Sequence, residues 1–528
     1  MLSLAVLLVL LAIRRVAAPF GVERGWRPLA FAVLAIGAAL GLIAYPAVAV
    51  WYAADPHFFD NAEPSMTAIG WLFHVGLPVY HQLDSPERYA HIYGPLAFVS
   101  HGVVLGIFGP RIGASKWLGV GAALASLVLL YFALRDRTKR FHAVTLVGGC
   151  ALVLLCFRNY SFWTRPEPLQ LLAVSASTLF AVARPGWTTT VGLGIASGFL
   201  WNLKFTGPLY SLPIFVLFQH RTGWRRTVAA LAIAAGAAAI PFVIFSNVSL
   251  VNYLVWLRLS GRTGLLMSTL RQNLEWALYL GVPLLVSYFA VSPQSRPQGS
   301  VWQGTMAALL AGTIGVVVAA AKPGAGPYHL VPFLPIVTYI VAWHISTSAL
   351  TELTHSPPVA LASIAATLTA CLIALAQQAQ FVTTMAERRP SREIADIEQF
   401  VSTHQGVVEM GYGSTEALTL ERPVLVFRNN SYMLDQPAVR EHQLEGYEIP
   451  ESTVRAVSRC RVNYWLVPRG EVPFSGRNSY AAVFMRPLFS DDFRRTFQAT
   501  HEHIGATRYY DVWRCDAAPG SDDTHTRR

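Results

Sequence analysis

Between residues 29 and 379 the chain repeats apolar stretches of nearly the length a helix needs to cross a bilayer, and after residue 385 they stop. A hydrocarbon core about 30 Å thick takes roughly 20 apolar residues as helix. Inside it only helices and closed barrels satisfy every backbone amide and carbonyl. The composition agrees: 53% of residues are hydrophobic, 13% are charged, and the mean hydropathy is +0.40. Such a chain is too apolar for a soluble globular protein of 528 residues. The predicted fold is therefore mostly α: a polytopic transmembrane helical bundle followed by a small α/β domain. The net charge of +11 sits in short clusters between apolar segments rather than on one face, which marks orientation signals and argues against nucleic acid.

Those clusters predict the topology. Residues 1–28 form an N-terminal segment in which the run Leu2–Ile13 is too short to span and lacks the positive start of a signal peptide. Arg14, Arg15, Arg24 and Arg27 follow, and basic residues favour the cytoplasm. Residues 29–52 then cross outward. The loop from Asp55 to Tyr93 carries Asp55, Asp60, Glu63, Asp84 and Glu87 against one Arg88, as an outer loop should. Arg135, Arg137, Lys139 and Arg140 lie inside after a span at 116–134. Parity then leaves residues 95–109 as a re-entrant or interfacial helix on the outer side. Spans at 141–157, 168–183, a pair within 189–219, 227–246, 274–292, 301–321, 329–347 and 358–379 bring the count to about eleven. Arg258, Arg262 and Arg271 break the charge rule by falling in an outer loop.

The bundle is thus expected over residues 29–384, in the inner (plasma) membrane, with residues 385–528 as a soluble extracytoplasmic domain. In that domain a helix is predicted over 391–404, and β-like runs at VVEMGYG, RPVLVFRN, NYWLVPR and ATRYYDVWRC. Cys150, Cys156 and Cys371 fall in apolar segments as small buried hydrophobes. Cys460 and Cys515 fall in the polar region, where an oxidising compartment permits a disulfide. No metal-type cysteine spacing, Walker lysine motif or Ser-His-Asp signature is present.

With this topology the unusual polar residues gather on one side. They are Asp60, Glu63 and Tyr93 in the first outer loop, Arg165 and Glu167 in the second, and Lys204 and Lys322 at outer helix ends. Ionisable groups at membrane depth are costly and mark pathways or reactions. Each also has an ordinary reading. Asp60 and Glu63 have the spacing of a capping box, and Pro64 suits a first helical turn. Arg165-Pro166-Glu167-Pro168 could serve only as a helix entry. Lys204, in WNLKFTGPLY, could snorkel to the interface. Lys322 opens KPGAGPYHLVPF, either a plain turn or a phosphate site of exposed amides beside a cation. Only four of the 41 basic residues are lysines, so two of them at such ends carry weight.

The order of an acidic loop DNAEP, then HIYGPLAF, RPEPLQLL, GFLWNLKFTGPL and KPGAGPYHLVPFLP resembles the GT-C glycosyltransferases that use polyprenyl-phosphate sugars. Aminoarabinose transferases and protein O-mannosyltransferases are among them, and the resemblance spans about residues 29–345. It implies an inverting glycosyltransferase taking a hexosyl or pentosyl unit from a polyprenyl-phosphate donor at the outer, periplasmic face. The acceptor would be a glycan, lipid or protein hydroxyl, and no cofactor would be required. It further implies a catalytic carboxylate in the first outer loop, where the family commonly has adjacent Asp-Glu. Here Asp60 and Glu63 are separated, leaving the base open between them. Glu167 matches a second-loop acid, and Arg165, Lys204, Lys322, Tyr93 and His329 are the residues expected to hold the donor phosphate. A divalent metal is possible but not indicated, and the WWD signature of oligosaccharyltransferases is absent. Two alternatives stand beside this reading: a flippase for a lipid-linked glycan, and a glycan polymerase or ligase. The absence of an internal repeat weakens the first.

Overall fold

The computed structural model describes residues 26–291, 299–346, 357–389, 391–414, 416–479 and 486–516. The run Leu2–Ile13 and the cluster Arg14, Arg15 and Arg24 lie outside them. The chain begins with helix α1 (Trp26–Ala54), then α2 (Glu63–His74), α3 (Pro95–Phe108), α4 (Ile112–Arg135), α5 (Arg140–Leu155), α6 (Pro166–Val182) and α7 (Trp187–Leu203). It continues with α8 (Gly207–Thr222), α9 (Trp224–Ile244), α10 (Leu250–Ser260), α11 (Met267–Ala290) and α12 (Ser300–Ala319). A 3₁₀ turn (Pro327–Phe333) leads into α13 (Leu334–Ser346), and α14 (Pro357–Arg388) ends the bundle.

Each of the eleven expected spans falls on a helix. Among the described residues six helical segments have the length and apolarity to cross a membrane: α1 from Leu29, α4, α9, α12, the 3₁₀ turn with α13, and α14. α3, at 14 residues, is about 21 Å long at 1.5 Å per residue, short of a full crossing. It lies against α2, where a Cβ on Gly102 would stand 2.5 Å from the Gly70 carbonyl oxygen. Lipid offers no hydrophobic force between helices, so the bundle packs through small residues. A Cβ on Gly41 in α1 would meet the Gly148 carbonyl oxygen of α5 at 2.2 Å.

The C-terminal domain comprises α15 (Glu393–Thr403), β1 (Val408–Met410), α16 (Pro423–Asn429), α17 (Gln436–Leu444), α18 (Glu451–Ser458), β2 (Tyr464–Pro468), α19 (Asp491–Thr500), β3 (His501–Ala506) and β4 (Tyr510–Cys515). Its sheet runs β1-β2-β4-β3, with β1 parallel to β2 and the other pairs antiparallel. The predicted helix and the strands VVEMGYG, NYWLVPR and ATRYYDVWRC are present in substance. RPVLVFRN is not a strand but α16. Pro423 opens its first turn, and Asn430, with φ 53°, closes it in the left-handed region. Its apolar residues pack on two sides, Val424 and Leu425 into the domain's core and Val426 into the core shared with the loops of the bundle. That double burial overrides β propensity. β3 is an addition to the expected strands. Cys460 and Cys515 form a disulfide with Cα atoms 5.5 Å apart.

The parallel crossover from β1 to β2 carries α16 and α17 onto the loops at one end of the bundle. Backbone bonds from Arg88 N to Met433 O (2.7 Å) and from Asp435 N to Arg88 O (3.0 Å) join the loop between α2 and α3 to the domain. At the centre, buried Arg422 and Asp435 pair at 2.6 Å. Arg422 also donates to Asn61 O (2.8 Å) and Ser65 Oγ (2.9 Å), and Ser65 donates to Asp435 (2.8 Å). The domain is therefore built into one end of the bundle by a buried polar network.

Candidate active site

The loop between α1 and α2 turns back at residues 59–63 because Glu63 gathers its amides. One carboxylate oxygen accepts from Phe59 N (3.1 Å) and Asp60 N (3.0 Å), and the other from Thr164 N (3.0 Å) and the Tyr52 hydroxyl. The side chain is fully buried. Burial, with Asp60 nearby, pushes its carboxyl above the ordinary range. The capping box is thus shifted from the expected register: α2 starts at Glu63 itself, and the Asp60 side chain accepts from Ala62 N (3.0 Å).

Asp60 is 29% exposed at its side chain and pairs with Arg165 Nη1 at 3.1 Å. Arg165 precedes α6 in extended conformation, ahead of the Pro166 that opens the helix. Its Nη2 donates to the hydroxyls of Tyr93 (2.8 Å) and Tyr328 (3.2 Å), and its guanidinium lies 4.2 Å from the centre of the Trp163 ring. Glu167, fully buried in the first turn of α6, accepts from Trp163 Nε1 (3.0 Å) and pairs with Lys204.

Tyr93 reaches this group because the HIYG loop is pressed onto the end of α7. A Cβ on Gly94 would stand 1.5 Å from the Asn202 carbonyl oxygen, so only glycine fits there. Gly94 N donates to Leu203 O (3.0 Å), and Asn202 Oδ1 accepts from Leu96 N (2.7 Å). The same contact sets the Lys204 ammonium 5.0 Å from the centre of the Tyr93 ring.

Tyr93, Arg165, Lys204, Lys322 and His329 all line one cleft with an empty volume of about 600 Å³. These are the five residues expected on the donor-phosphate side, drawn from four separate loops. Lys322 is half-buried and makes no side-chain hydrogen bond or ion pair among the described residues. His329 is 8% exposed, with Nδ1 unpartnered among them. Asp60 joins through Arg165, and Glu167 backs Lys204 from beneath. Glu63 stands apart, one oxygen held by its own loop and the other by Thr164 N and the Tyr52 hydroxyl. Arg258, Arg262 and Arg271 are exposed, and Arg271 pairs with Glu275 in its own helix at 3.2 Å.

Sequence reasoning missed the aromatic holders Trp163 and Tyr328, and it missed the cleft's opposite wall. That wall is Glu441 and Leu444 of α17 with Glu445 just beyond. Behind it, buried His91 bridges Asp435 (2.7 Å) and Glu441 (3.3 Å). Burial opposes charge on His91, but its two carboxylate partners outweigh that and lift it to about 9. The bond to His91, against the cost of burial, holds Glu441 well below its ordinary range. The signal was REHQLEGYE, whose acids four apart share a helix face. No group of three or more His, Cys, Asp or Glu side chains suited to a metal is present among the described residues.

No family model matches the chain, and no curated protein matches it. Solved structures do match over most of its length. ArnT from Cupriavidus metallidurans bound to undecaprenyl phosphate is 14% identical, covering 89% of this chain and 97% of its own, with a TM-score of 0.47. Its apo state gives 12% and 0.48 over the same spans. The Archaeoglobus fulgidus oligosaccharyltransferase, in complex with Zn and sulfate, is 12% identical over 90% of this chain and 72% of its own, at 0.43. The chain is a polytopic helical membrane protein with a small α/β C-terminal domain, similar at this low identity to ArnT and the archaeal oligosaccharyltransferase.

Proposed function

We propose that the protein is an integral membrane glycosyltransferase that moves a single sugar from a polyprenyl-phosphate donor to an acceptor hydroxyl, with inversion, at the outer membrane face. The observation that carries this reading is the cleft in which Arg165, Lys204 and Lys322 converge beside Asp60. Three cations from three loops suit a phosphodiester, whose charge grows as the glycosidic bond breaks; groups fixed in place before the reaction stabilise that charge best. The phosphate leaves as an anion and needs no proton. One base is then enough, unlike ordinary glycoside hydrolysis with its two carboxyl groups.

Asp60 is the base in this scheme. It is the loop acid with an exposed edge, and Arg165 fixes its orientation. It takes the proton of the acceptor hydroxyl as that oxygen attacks the anomeric carbon. Glu63 shapes the loop, and Glu167 holds Lys204. The disulfide in the C-terminal domain supports an oxidising compartment on that side of the membrane.

The test is the lipid profile of cells lacking the protein. A polyprenyl-phosphate sugar should accumulate and disappear again on complementation. An unchanged pool of such lipids sinks the enzyme. An accumulated lipid that labels only from the cytoplasmic face points to a flippase instead.

A further inference from the structure

The cleft has two chemically distinct walls. The bundle supplies Arg165, Lys204 and Lys322, and the C-terminal domain supplies Glu441 and Glu445. Glu445 is 4% exposed, yet its Oε2 has no hydrogen-bond partner among the described residues. His329, across the cleft, leaves a buried ring nitrogen equally unpartnered. A buried polar atom without a partner costs free energy comparable to a lost hydrogen bond, and two of them facing one cavity mark a place for a polar ligand. Lys322 faces both acids without forming an ion pair to either. The acids are therefore not its counter-ions in contact.

An all-cationic pocket would serve a phosphate alone. A sugar next to that phosphate presents hydroxyl groups, which carboxyl oxygens accept well. We propose that Glu441 and Glu445 hydrogen-bond the hydroxyl groups of the glycosyl unit whose phosphate lies against Lys322, so that the C-terminal domain reads the sugar. This rests on the donor assignment above and extends it from the lipid phosphate to the sugar. The two acids then play different parts. Glu441, tied to His91, stays an anion and accepts. Glu445, which burial and the neighbouring Glu441 push up to about 8, carries a proton at neutral pH and can also donate. Such a pair reads two neighbouring hydroxyls.

The test titrates the full chain in nanodiscs with bare undecaprenyl phosphate and with a panel of undecaprenyl phosphates each bearing one neutral hexose or pentose. Wild type should prefer at least one sugar-bearing lipid over the bare one. Glu441→Gln and Glu445→Gln should each cut that preference about tenfold while leaving the bare lipid's affinity nearly unchanged. Lys322→Ala should weaken both probes together. An undiminished preference in both acid variants overturns the proposal, as does an equal loss for both probes, which would mark a structural role. Wild type binding bare and sugar-bearing lipids equally also overturns it while sparing the lipid assignment. Wild type binding none of these lipids overturns the donor assignment itself. Should Glu441→Gln fail to fold because His91 loses its partner, Glu445→Gln decides alone.

Discussion

At the scale of single residues, the two loop acids are three positions apart and sit in opposite surroundings, Asp60 partly exposed and Glu63 fully buried. Asp60→Asn keeps the hydrogen-bonding shape and removes the charge. Transfer by purified variant should fall by about 10²–10⁴-fold, the range of a lost general base, with donor affinity retained. Full activity in membranes carrying the variant sinks the base assignment. Glu63→Ala should instead lower stability, because four donors lose their acceptor in a dry site. A loss of several kcal/mol is expected by analogy with other buried charged partners. Thermal melting of detergent-solubilised protein reads it; a variant melting like wild type contradicts this role. The sequence spacing named both acids but not their division of labour. That division depends on Thr164 and Tyr52, which come from a different loop and a different helix.

Among the elements, the loop between α2 and α3 decides the site's shape. Gly94→Ala puts a methyl where the Asn202 carbonyl already stands, so the loop must lift from α7. Lipid-phosphate affinity should fall together with the melting temperature, since Tyr93 leaves Arg165 and the contact over Lys204. Normal binding by this variant would show that Tyr93 is dispensable. The helices of the bundle were legible in the sequence because apolar runs of bilayer length have few other solutions. α16 was not, because Val424, Leu425 and Val426 read as strand in isolation. Only their burial on two sides makes them helix. The cationic side of the cleft was legible from two of the four rare lysines and the RPEP turn. The acidic side was hidden, since nothing local says that α17 returns to the loop between α2 and α3.

Across the whole molecule, His91 joins the two layers, and its charge makes their docking dependent on pH. Its folded value of about 9 lies above the ordinary 6.5, so its contribution is complete below about pH 6.5 and lost as pH rises through about 9. Asp435 is depressed, with burial outweighed by Arg422 and His91, so its share is present above about pH 4 and fades in acid. Docking should be firmest between these limits. Limited proteolysis between α14 and the C-terminal domain should accelerate above pH 9 in wild type, and His91→Asn should remove that alkaline step. A flat profile in wild type contradicts the link.

The polar network at Arg422 also bears on how the protein matures. Asn61 and Ser65 are made early in synthesis, and Arg422 and Asp435 come 357 to 370 residues after the partners they bond. Half of the cleft therefore waits, already inserted, for a segment that the ribosome has yet to deliver. A nascent or truncated product ending before α16 holds its cations in an open trough. The cleft would be completed in one step, late, once the final domain has folded against the first loop.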